Sequence, residues 1–384
     1  MAPLTGLRIV ELGGIGPGPM AGMLLGDMGA EVIRIERVAK PEALIPIDDR
    51  LDVPLRNRRS VALDIKQPEG LDLLLKLVDS SDGLIEGFRP GVAERLGFGP
   101  DVCLARNPGL VFGRVTGFGQ EGPLAQWAGH DINYLAITGA LNAMGRAGER
   151  PAVPLNLIGD YGGGAMLLAF GMVCAFVERH RSQKGQVVDA AMIDGAMLLF
   201  APFFGFSASG SWSAERGTNL LDTGAPFYDV YQTSDNKYVA FGALEPKFFA
   251  TFAQKVGLDP EVASAHADRA RWPMLREALT KLFLGKSRQH WVDLLEHSDS
   301  CLNGVLEVSE VGDYPHHQAR GAVVRLGGVD QPAPAPRFSR TPASEPVPPK
   351  LAGADTDAVL ADLGVAQADL VRLRASGTVG GGEV

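Results

Sequence analysis

The fold of this 384-residue chain follows from one run, LRIVELGGIGPGPMAGMLLGDMGAEVIRIE, which extends from Leu7 to Glu36. The apolar runs LRIVEL and EVIRIE predict two buried strands, and MAGMLLGDMG between them predicts a helix after a glycine-rich loop. A β-loop-α-β order of this kind opens a doubly wound parallel sheet. The run therefore predicts an α/β protein with a large Rossmann-like domain.

The glycine-rich loop offers a first functional hypothesis. The loop, the helix and the second strand fit the dinucleotide-binding fingerprint at four positions, namely Gly16, Gly18, Ala21 and Glu36. However, Pro17 and Pro19 remove two backbone donors that a pyrophosphate loop needs. Arg37 also favours a phosphate over a ribose diol. A nicotinamide cofactor is therefore the weaker interpretation of this loop.

Apolar runs and turn residues divide the rest of the chain. Further strands of the large domain are predicted at SVALDI (60–65), GLIEGF (83–88), GLVFGRVTGFG (109–119) and VVDAAM (187–192). A hairpin-like pair of strands and several helices predict a smaller α+β domain, and the proline-rich run 331–349 predicts an extended strap. We expect a large domain at 1–190, linker helices at 191–222, the small domain at 223–321, and a strap with final helices that pack on the large domain at 322–384.

Charge and cysteine content narrow the class of protein. The formal net charge of −9 argues against nucleic acid as the main partner, because phosphate binding needs a basic face. Cys103, Cys174 and Cys301 are too far apart to predict a zinc motif or a disulfide framework. The opening MAPLTGLRIVEL lacks a basic segment that leads into a long apolar one, and the apolar run after Gly164 is somewhat short for a membrane span. We therefore expect a cytoplasmic protein with no membrane partner.

Basic side chains collect around successive predicted strands of this acidic chain. They are Arg56, Arg58 and Arg59 in LRNRRS, followed by Lys66, Arg89 and Arg95. The ligand crevice of an open α/β sheet lies beyond the carboxyl ends of its strands, and guanidinium groups bind phosphates in a bidentate way. We therefore expect these side chains to anchor a polyphosphate ligand.

Two titratable groups stand out in the middle of the chain, in AGHDINYL (128–135) and LNLIGDYGGG (155–164). His130 follows a glycine, which leaves space for a substrate beside its ring. Asp160 precedes an apolar run that predicts a buried helix of about four or five turns. We expect the N-terminus of that helix to hold the carboxylate as the anion. An imidazole and a carboxylate aimed at one point form a pair of proton-transfer groups.

Several long motifs together point to one family. They are TGFGQEGP (116–123), AGHDINYL, LNLIGDYGGG, SQKGQVVDAAM (182–192), GAPFYDVYQTSDNKYVAFGALEPKFF (224–249) and PAPRFSRTP (334–342). In these motifs the chain resembles the alpha-methylacyl-CoA racemases of the class III CoA-transferase superfamily. The likeness covers nearly the whole chain, from LRIVELGGIGPGP to about Pro342.

The resemblance implies a fold and a reaction. The fold would be a large Rossmann-like domain with a small domain, and two chains would interlock as a homodimer. The reaction would interconvert (R)- and (S)-2-methylacyl-CoA thioesters, in fatty acid metabolism, by proton transfer through an enolate. The enzyme would need no metal or redox cofactor, since CoA is part of the acyl-CoA substrate.

The resemblance also implies roles for individual residues. His130 and Asp160 match the two acid/base groups, and Glu245 matches the acid that orients the histidine. Positions near the CoA moiety are matched by Arg37, Lys66, Arg89 and Arg95, and we group Asp131 and Tyr134 of the histidine motif with this substrate-binding set. The triple glycine after Asp160 would allow the enolate oxygen to approach backbone N–H groups.

Two other functions compete with racemisation. A CoA-transferase of the same superfamily would use Asp160 as a nucleophile and form an acyl anhydride on it. Such an enzyme does not need a proton-handling pair like His130 and Glu245. A regulator that binds CoA or a dinucleotide without turnover is the third hypothesis, and the pairing of His130 with Asp160 argues against it. The acyl group stays open, because core packing explains the apolar residues of 192–204 as well as a lipophilic pocket does.

Overall fold

The computed structural model describes residues 1–39 and 45–381, and in it the run Leu7–Glu36 forms the predicted β-loop-α-β unit. Strands β1 (Arg8–Leu12) and β2 (Glu31–Glu36) are parallel neighbours, connected by helix α1 (Pro17–Asp27). Pro17 begins α1 at the position where a missing N–H is tolerated. The loop predicted from the glycines and prolines therefore leads directly into the helix.

The remaining strands and helices of the described residues follow in chain order. The strands are β3 (Arg58–Leu63), β4 (Gly83–Glu86), β5 (Val111–Thr116), β6 (Gln186–Ala191), β7 (Tyr228–Gln232), β8 (Tyr238–Gly242), β9 (Leu302–Gly304), β10 (Val323–Leu326), β11 (Val329–Pro332) and β12 (Val379–Gly380). The α-helices are α2 (Pro68–Asp79), α3 (Val92–Leu96), α4 (Pro100–Arg106), α5 (Asp131–Ala136), α6 (Ala140–Ala143), α7 (Leu167–Ser182), α8 (Met192–Leu199), α9 (Ala201–Ala208), α10 (Pro246–Val256), α11 (Pro260–Ser264), α12 (Trp272–Leu284), α13 (Arg288–Leu295), α14 (Pro315–Arg320), α15 (Thr356–Asp362) and α16 (Gln367–Ala375). A π-helical segment, Leu157–Met166, leads into α7.

The large sheet has the strand order β12-β3-β2-β1-β4-β5-β6. Strands β1 to β6 run parallel, and β12 lies antiparallel to β3. The strand order changes direction between β1 and β4, and ligands of open α/β sheets bind beyond the carboxyl ends of the strands at such a switch point. The fold therefore predicts a ligand site at the loop after β1 and the segments that follow β4 and β5.

Helices cover both faces of this sheet. On one face, α2, α15 and α16 pack against side chains that include Val10 and Ile33. On the other face, α1 and α7 pack against Ile9 and Val32. Because successive residues of a strand point to opposite faces, a strand covered on both sides is apolar throughout. By length and composition the run Leu157–Ser182 could cross a membrane, yet α7 buries one side of that run against the sheet.

Buried ion pairs connect the first three strands and α1. Glu11 is fully buried in β1, and it accepts hydrogen bonds from Arg34 of β2 and from Arg58 of β3, whose Nε is 2.9 Å away. Arg56 is 2% exposed and donates to both carboxylate oxygens of Asp27, at 2.9 and 2.5 Å. These contacts satisfy charges that would be costly to bury alone.

Arg59 completes the set of arginines in LRNRRS. It is partly exposed, but Glu31 at 2.9 Å and Asp362 at 2.8 Å hold its guanidinium group. The expectation that Arg56, Arg58 and Arg59 anchor a polyphosphate is therefore wrong, because all three bind carboxylates of this chain.

Residues group into two compact units. Unit 1 comprises Met1–Thr138, Leu155–Leu199 and His316–Val384, and unit 2 comprises Gly139–Pro154 and Phe200–Pro315. Unit 2 contains the antiparallel sheet β7-β8-β9, and its core includes Phe241 and Phe283.

The unit boundaries differ from the expected ones in three places, and in one of them residues 316–321 belong to unit 1 instead of the small domain. Residues 139–154 lie in unit 2 instead of the large domain, since Arg146 pairs with Asp229 at 2.7 Å and the Asn142 carbonyl accepts a hydrogen bond from Arg216. The expected linker 191–222 is divided after Leu199.

Candidate active site

Asp160 lies in the first turn of the π-helical segment Leu157–Met166, four residues after its N-cap, Asn156. Its carboxylate reaches the loop between β1 and α1, because a Cβ atom on Gly16 would stand 3.2 Å from Asp160 Oδ2. Gly16 also has a φ of +69°, a conformation that glycine adopts readily. Asp160 therefore lies at the switch point of the large sheet.

Burial is the largest influence on the Asp160 carboxyl group, and it raises the pKa. The negative charge of Asp131 raises the pKa further, whereas a hydrogen bond from Asn156 Nδ2 at 3.2 Å and the charge of His130 lower it. The net shift is upward. Burial therefore works against the stabilisation of the anion that we expected from the helix N-terminus, and the charge state of Asp160 stays a prediction.

His130 is exposed at the end of the loop that follows β5, immediately before α5. Asn133 Oδ1 accepts the His130 backbone N–H at 3.0 Å, and the Tyr134 hydroxyl donates to the carbonyl of Gly129. Both contacts come from α5, so this helix fixes the segment that carries the imidazole. Since the charge of His130 acts on Asp160, the two predicted proton-transfer groups lie within electrostatic range of each other.

Asp131 and Tyr134 are 6% and 7% exposed, so their side chains lie largely in the protein interior, and their part in substrate binding stays a prediction. The Tyr134 ring packs edge-on against Phe118 at 5.0 Å between centroids, and burial raises the pKa of its hydroxyl to about 12. Asp131 Oδ2 accepts the backbone N–H of Asp160 at 2.7 Å. Both side chains support the proton-transfer groups from the protein interior.

The triple glycine 162–164 serves helix packing. A Cβ atom on Gly163 would stand 2.7 Å from the backbone nitrogen of Ala196 and 2.9 Å from the Met192 carbonyl oxygen. A Cβ atom on Gly164 would stand 3.0 Å from Pro17 Cβ. The close approach that Gly163 and Gly164 allow is therefore taken up by α8 and α1, and contact of an enolate oxygen with the backbone N–H groups stays a prediction.

The four basic residues predicted to bind CoA lie close to the ends of strands β2, β3 and β4 and in α3. Arg37, Lys66 and Arg89 follow β2, β3 and β4, and Arg95 lies in the last turn of α3. All four are exposed, and none forms an ion pair with another residue in 1–39 or 45–381. Because three of them follow parallel strands, they lie along the same carboxyl edge of the sheet as the Gly16 loop.

Glu245 lies in unit 2, where it is the N-cap residue of α10 and follows β8. Its side chain is exposed, and its charge adds to burial in raising the pKa of the Cys301 thiol. The orientation of His130 by Glu245 stays a prediction.

Sequence reasoning missed the part that two glycines play at the site. The only sequence signal for Gly16 is the GPGP run, which indicates a tight loop but not a neighbouring carboxylate. Gly159 carries no such signal, although a Cβ atom on it would stand 2.5 Å from Asp131 Oδ2. Contacts between residues this far apart in the chain cannot be read from local patterns.

The fold and the site define an α/β protein with an imidazole and a half-buried carboxylate close to the switch point of its main sheet. The chain belongs to CoA-transferase family III, whose model matches residues 4–356. It is 39% identical over 373 residues to alpha-methylacyl-CoA racemase of Mus musculus, with 96% of each chain covered. It is 30% identical to Succinyl-CoA--D-citramalate CoA-transferase of Chloroflexus aurantiacus, with 97% of each chain covered.

A solved structure supports the same fold. The crystal structure of a CAIB/BAIF family protein from Brucella suis aligns with a TM-score of 0.79 at 25% identity, covering 94% of this chain and 99% of that one. The resemblance found in the sequence motifs is therefore confirmed, and so is the mixed α/β fold with a mainly parallel sheet.

Proposed function

We propose that this chain is a racemase that interconverts (R)- and (S)-2-methylacyl-CoA thioesters. The α-proton would leave one face of the carbon, and a proton would return to the other face through an enolate. The observation that carries this proposal is the pairing of His130 with a half-buried Asp160 at the switch point of the sheet. Kinship with the mouse racemase supports an isomerase.

Racemisation needs two proton-transfer groups whose pKa values are similar. The α-proton of a thioester is far less acidic than any side chain, so the enolate must be stabilised as it forms. In one direction the Asp160 carboxylate takes the proton and the His130 imidazolium donates on the opposite face, and in the other direction the roles are exchanged. Burial raises the pKa of Asp160 toward that of an imidazole, which makes the exchange of roles less costly.

The remaining groups bind and orient. In this proposal Glu245 holds His130 in one tautomer and supports its cationic form, as carboxylates do for catalytic histidines. Arg37, Lys66, Arg89 and Arg95 bind the phosphates of CoA. No metal or redox cofactor takes part, because CoA belongs to the substrate.

We also propose that two chains form the site as an interlocked homodimer. The outer side of the π-helical segment and α7 supports this, since Met166, Phe170 and Val177 are 51%, 66% and 54% exposed. An apolar face of this kind in the middle of a long helix indicates a protein partner. A second copy of the chain is the partner that the proposal names.

Deuterium uptake tests the reaction. One enantiomer of a 2-methylacyl-CoA, incubated with the enzyme in heavy water without an acceptor acid, should give both enantiomers with deuterium at the α-carbon. Asp160→Asn should suppress uptake mainly from one enantiomer and His130→Ala mainly from the other, because each group serves one face. Equal losses from both enantiomers in both variants would leave a mechanism with a single base.

A CoA-transferase is the alternative, and kinship with the D-citramalate CoA-transferase favours it. Asp160 would then attack the thioester and form a mixed acyl anhydride with release of the CoA thiolate, and the thiolate would attack the Asp160 carbonyl, release the donor acid as its carboxylate and leave a thioester between Asp160 and CoA. The incoming carboxylate would attack this thioester and release the thiolate again, and the thiolate would take the new acyl group and regenerate Asp160. The transferase replaces the racemase if α-deuterium stays absent while CoA passes to an added carboxylic acid.

A further inference from the structure

The Asp131 side chain is buried and contacts the segment that carries Asp160, yet the reaction as proposed gives it no role. It is 6% exposed and lies at the start of α5, directly after His130. Its Oδ2 accepts the backbone N–H of Asp160 at 2.7 Å. One side chain therefore connects the helix that fixes His130 with the segment that carries Asp160.

The Asp160 N–H needs this acceptor because of the π-helical turn. In an α-helix that begins after Asn156, the N–H of Asp160 would bind the Asn156 carbonyl, four residues earlier. Here the Tyr161 N–H binds that carbonyl at 3.3 Å, which is the five-residue spacing of a π-helix. The Asp160 N–H is left without an intrahelical partner, and Asp131 supplies the missing acceptor.

The space around Asp131 fits a carboxylate closely. A Cβ atom on Gly159 would stand 2.5 Å from Asp131 Oδ2 and 2.9 Å from Asp131 Cγ, so only glycine leaves room for it. The second oxygen, Oδ1, is buried and has no hydrogen-bond partner among the described residues. Buried carboxylate oxygens normally have hydrogen-bond partners, so an unpaired Oδ1 lowers the stability of the folded protein.

We propose that Asp131 is a positioning residue for Asp160, which keeps the first turn of its helix in the wide π form and thereby aims its carboxylate at the substrate. The kinetic part of this proposal rests on the proposed racemase reaction, and the geometric part does not. In an α-helical first turn the side chain of Asp160 would point in another direction, because each residue of a π-helix turns through a smaller angle.

The charge of Asp131 provides a second test of the proposal, because it changes the pKa of Asp160 and so the pH dependence of the reaction. The groups that act on Asp160 are the charges of Asp131 and His130 and the amide of Asn156, and Asp160 in turn acts on the Tyr134 hydroxyl. Among these, Asp131 is the negative charge, and it raises the pKa of Asp160 together with burial. Asp131→Asn keeps an oxygen that can accept the Asp160 N–H but removes the charge. Asp131→Ala removes both the accepting oxygen and the negative charge.

Deuterium uptake from each enantiomer, measured against pH, tests the proposal. Asp131→Ala should lose about ten- to hundredfold of the uptake from the enantiomer that needs Asp160 as the base, since a small displacement of a reacting group costs about that much. Uptake from the other enantiomer should fall less. Asp131→Asn should retain most of the wild-type rate that Asp131→Ala loses. In the plot of its uptake rate against pH, the decline on the acidic side should move to lower pH. Asp101→Ala, an exposed acid of α4, is the matched control and should leave both uptakes unchanged.

Equal losses from both enantiomers in Asp131→Ala, with no movement of the decline on the acidic side in Asp131→Asn, would overturn the proposal and leave Asp131 a purely structural residue. The crystal structure of Asp131→Asn, or of Asp131→Ala if it folds, tests the geometry directly. We expect the Asp160 N–H of the alanine variant to move to the Asn156 carbonyl, and an unchanged π turn in that variant would also overturn the proposal. If the wild type takes up no deuterium, the racemase proposal fails, while the crystal structures still decide the geometric part.

Discussion

Arg56 and Arg95 show how burial separates two kinds of arginine in this chain. Arg56 is 2% exposed and binds Asp27 through two hydrogen bonds. Arg95 is exposed at the end of α3, beside a sheet edge that we propose binds CoA phosphates. Loss of the first should affect folding, and loss of the second should affect substrate binding.

Replacing Arg56 with alanine should lower the free energy of unfolding by about 3–5 kcal/mol, because the buried carboxylate of Asp27 then has no counter-charge. Arg95→Ala should change that free energy by less than about 0.5 kcal/mol, as surface substitutions usually do. It should instead raise KM for an acyl-CoA and make KM less sensitive to salt. Urea denaturation and initial rates at two salt concentrations measure the two effects. If KM and its salt dependence stay unchanged, Arg95 is not part of the CoA site.

Residue chemistry could be predicted from the sequence more reliably than residue contacts. His130 and Asp160 are recognisable because each stands in a glycine-containing motif, and the structure brings them within electrostatic range. Arg56 and Arg58 look like phosphate ligands because their carboxylate partners belong to other elements, α1 and β1. A local pattern shows the charge on a side chain but not the distant group that neutralises it.

The junction between β8 and α10, which carries Glu245, is backed by an aromatic cluster. The His266 ring lies between Phe227 and Phe249, with centroids 4.1 and 4.5 Å away. Its Nε2 is 3.3 Å from the Ala243 carbonyl oxygen, two residues before Glu245. Burial is the largest influence on the pKa of His266 and lowers it, against the opposing effect of hydrogen bonds to the backbone.

Protonation of His266 should therefore weaken this junction. The unfolded chain, whose histidine pKa is about 6.5, binds the proton before the folded protein does as the pH falls. The stability that the neutral ring contributes is fully present above about pH 6.5 and is lost as the pH falls from there through the lowered pKa of the folded state. His266→Gln cannot titrate, so it should lose less free energy of unfolding between about pH 7.5 and pH 5 than the wild type. Urea denaturation at both pH values measures this difference, and equal losses would contradict it.

Elements could be predicted where the signal is local. The runs read as strands became β1 to β6 with ends shifted by a few residues, because buried parallel strands are continuous apolar runs. Strand β12 was missed, since two residues, Val379–Gly380, carry no pattern. The π form of Leu157–Met166 could not be predicted either, because it depends on an acceptor, Asp131, in another element.

The whole protein should be an obligate homodimer. The exposed apolar face around Phe170 supports this, and interlocked chains would have no stable folded monomer. We expect the Tm to rise with protein concentration and light scattering to give the dimer mass at every concentration that retains activity. A folded, active monomer at low concentration would contradict this prediction.

Unit 1 gathers parts of the chain that are synthesised far apart in time. Val359, Leu370 and Val379 belong to the same apolar core as Val10, a residue of the first strand. A nascent chain on the ribosome therefore carries the central strands for most of its synthesis before α15, α16 and β12 arrive to cover one face. During that interval apolar side chains of the sheet stay open to water and to other chains. We therefore expect this face of the sheet to be completed only after α15, α16 and β12 have been synthesised, and chaperones that bind apolar segments to have their longest opportunity there.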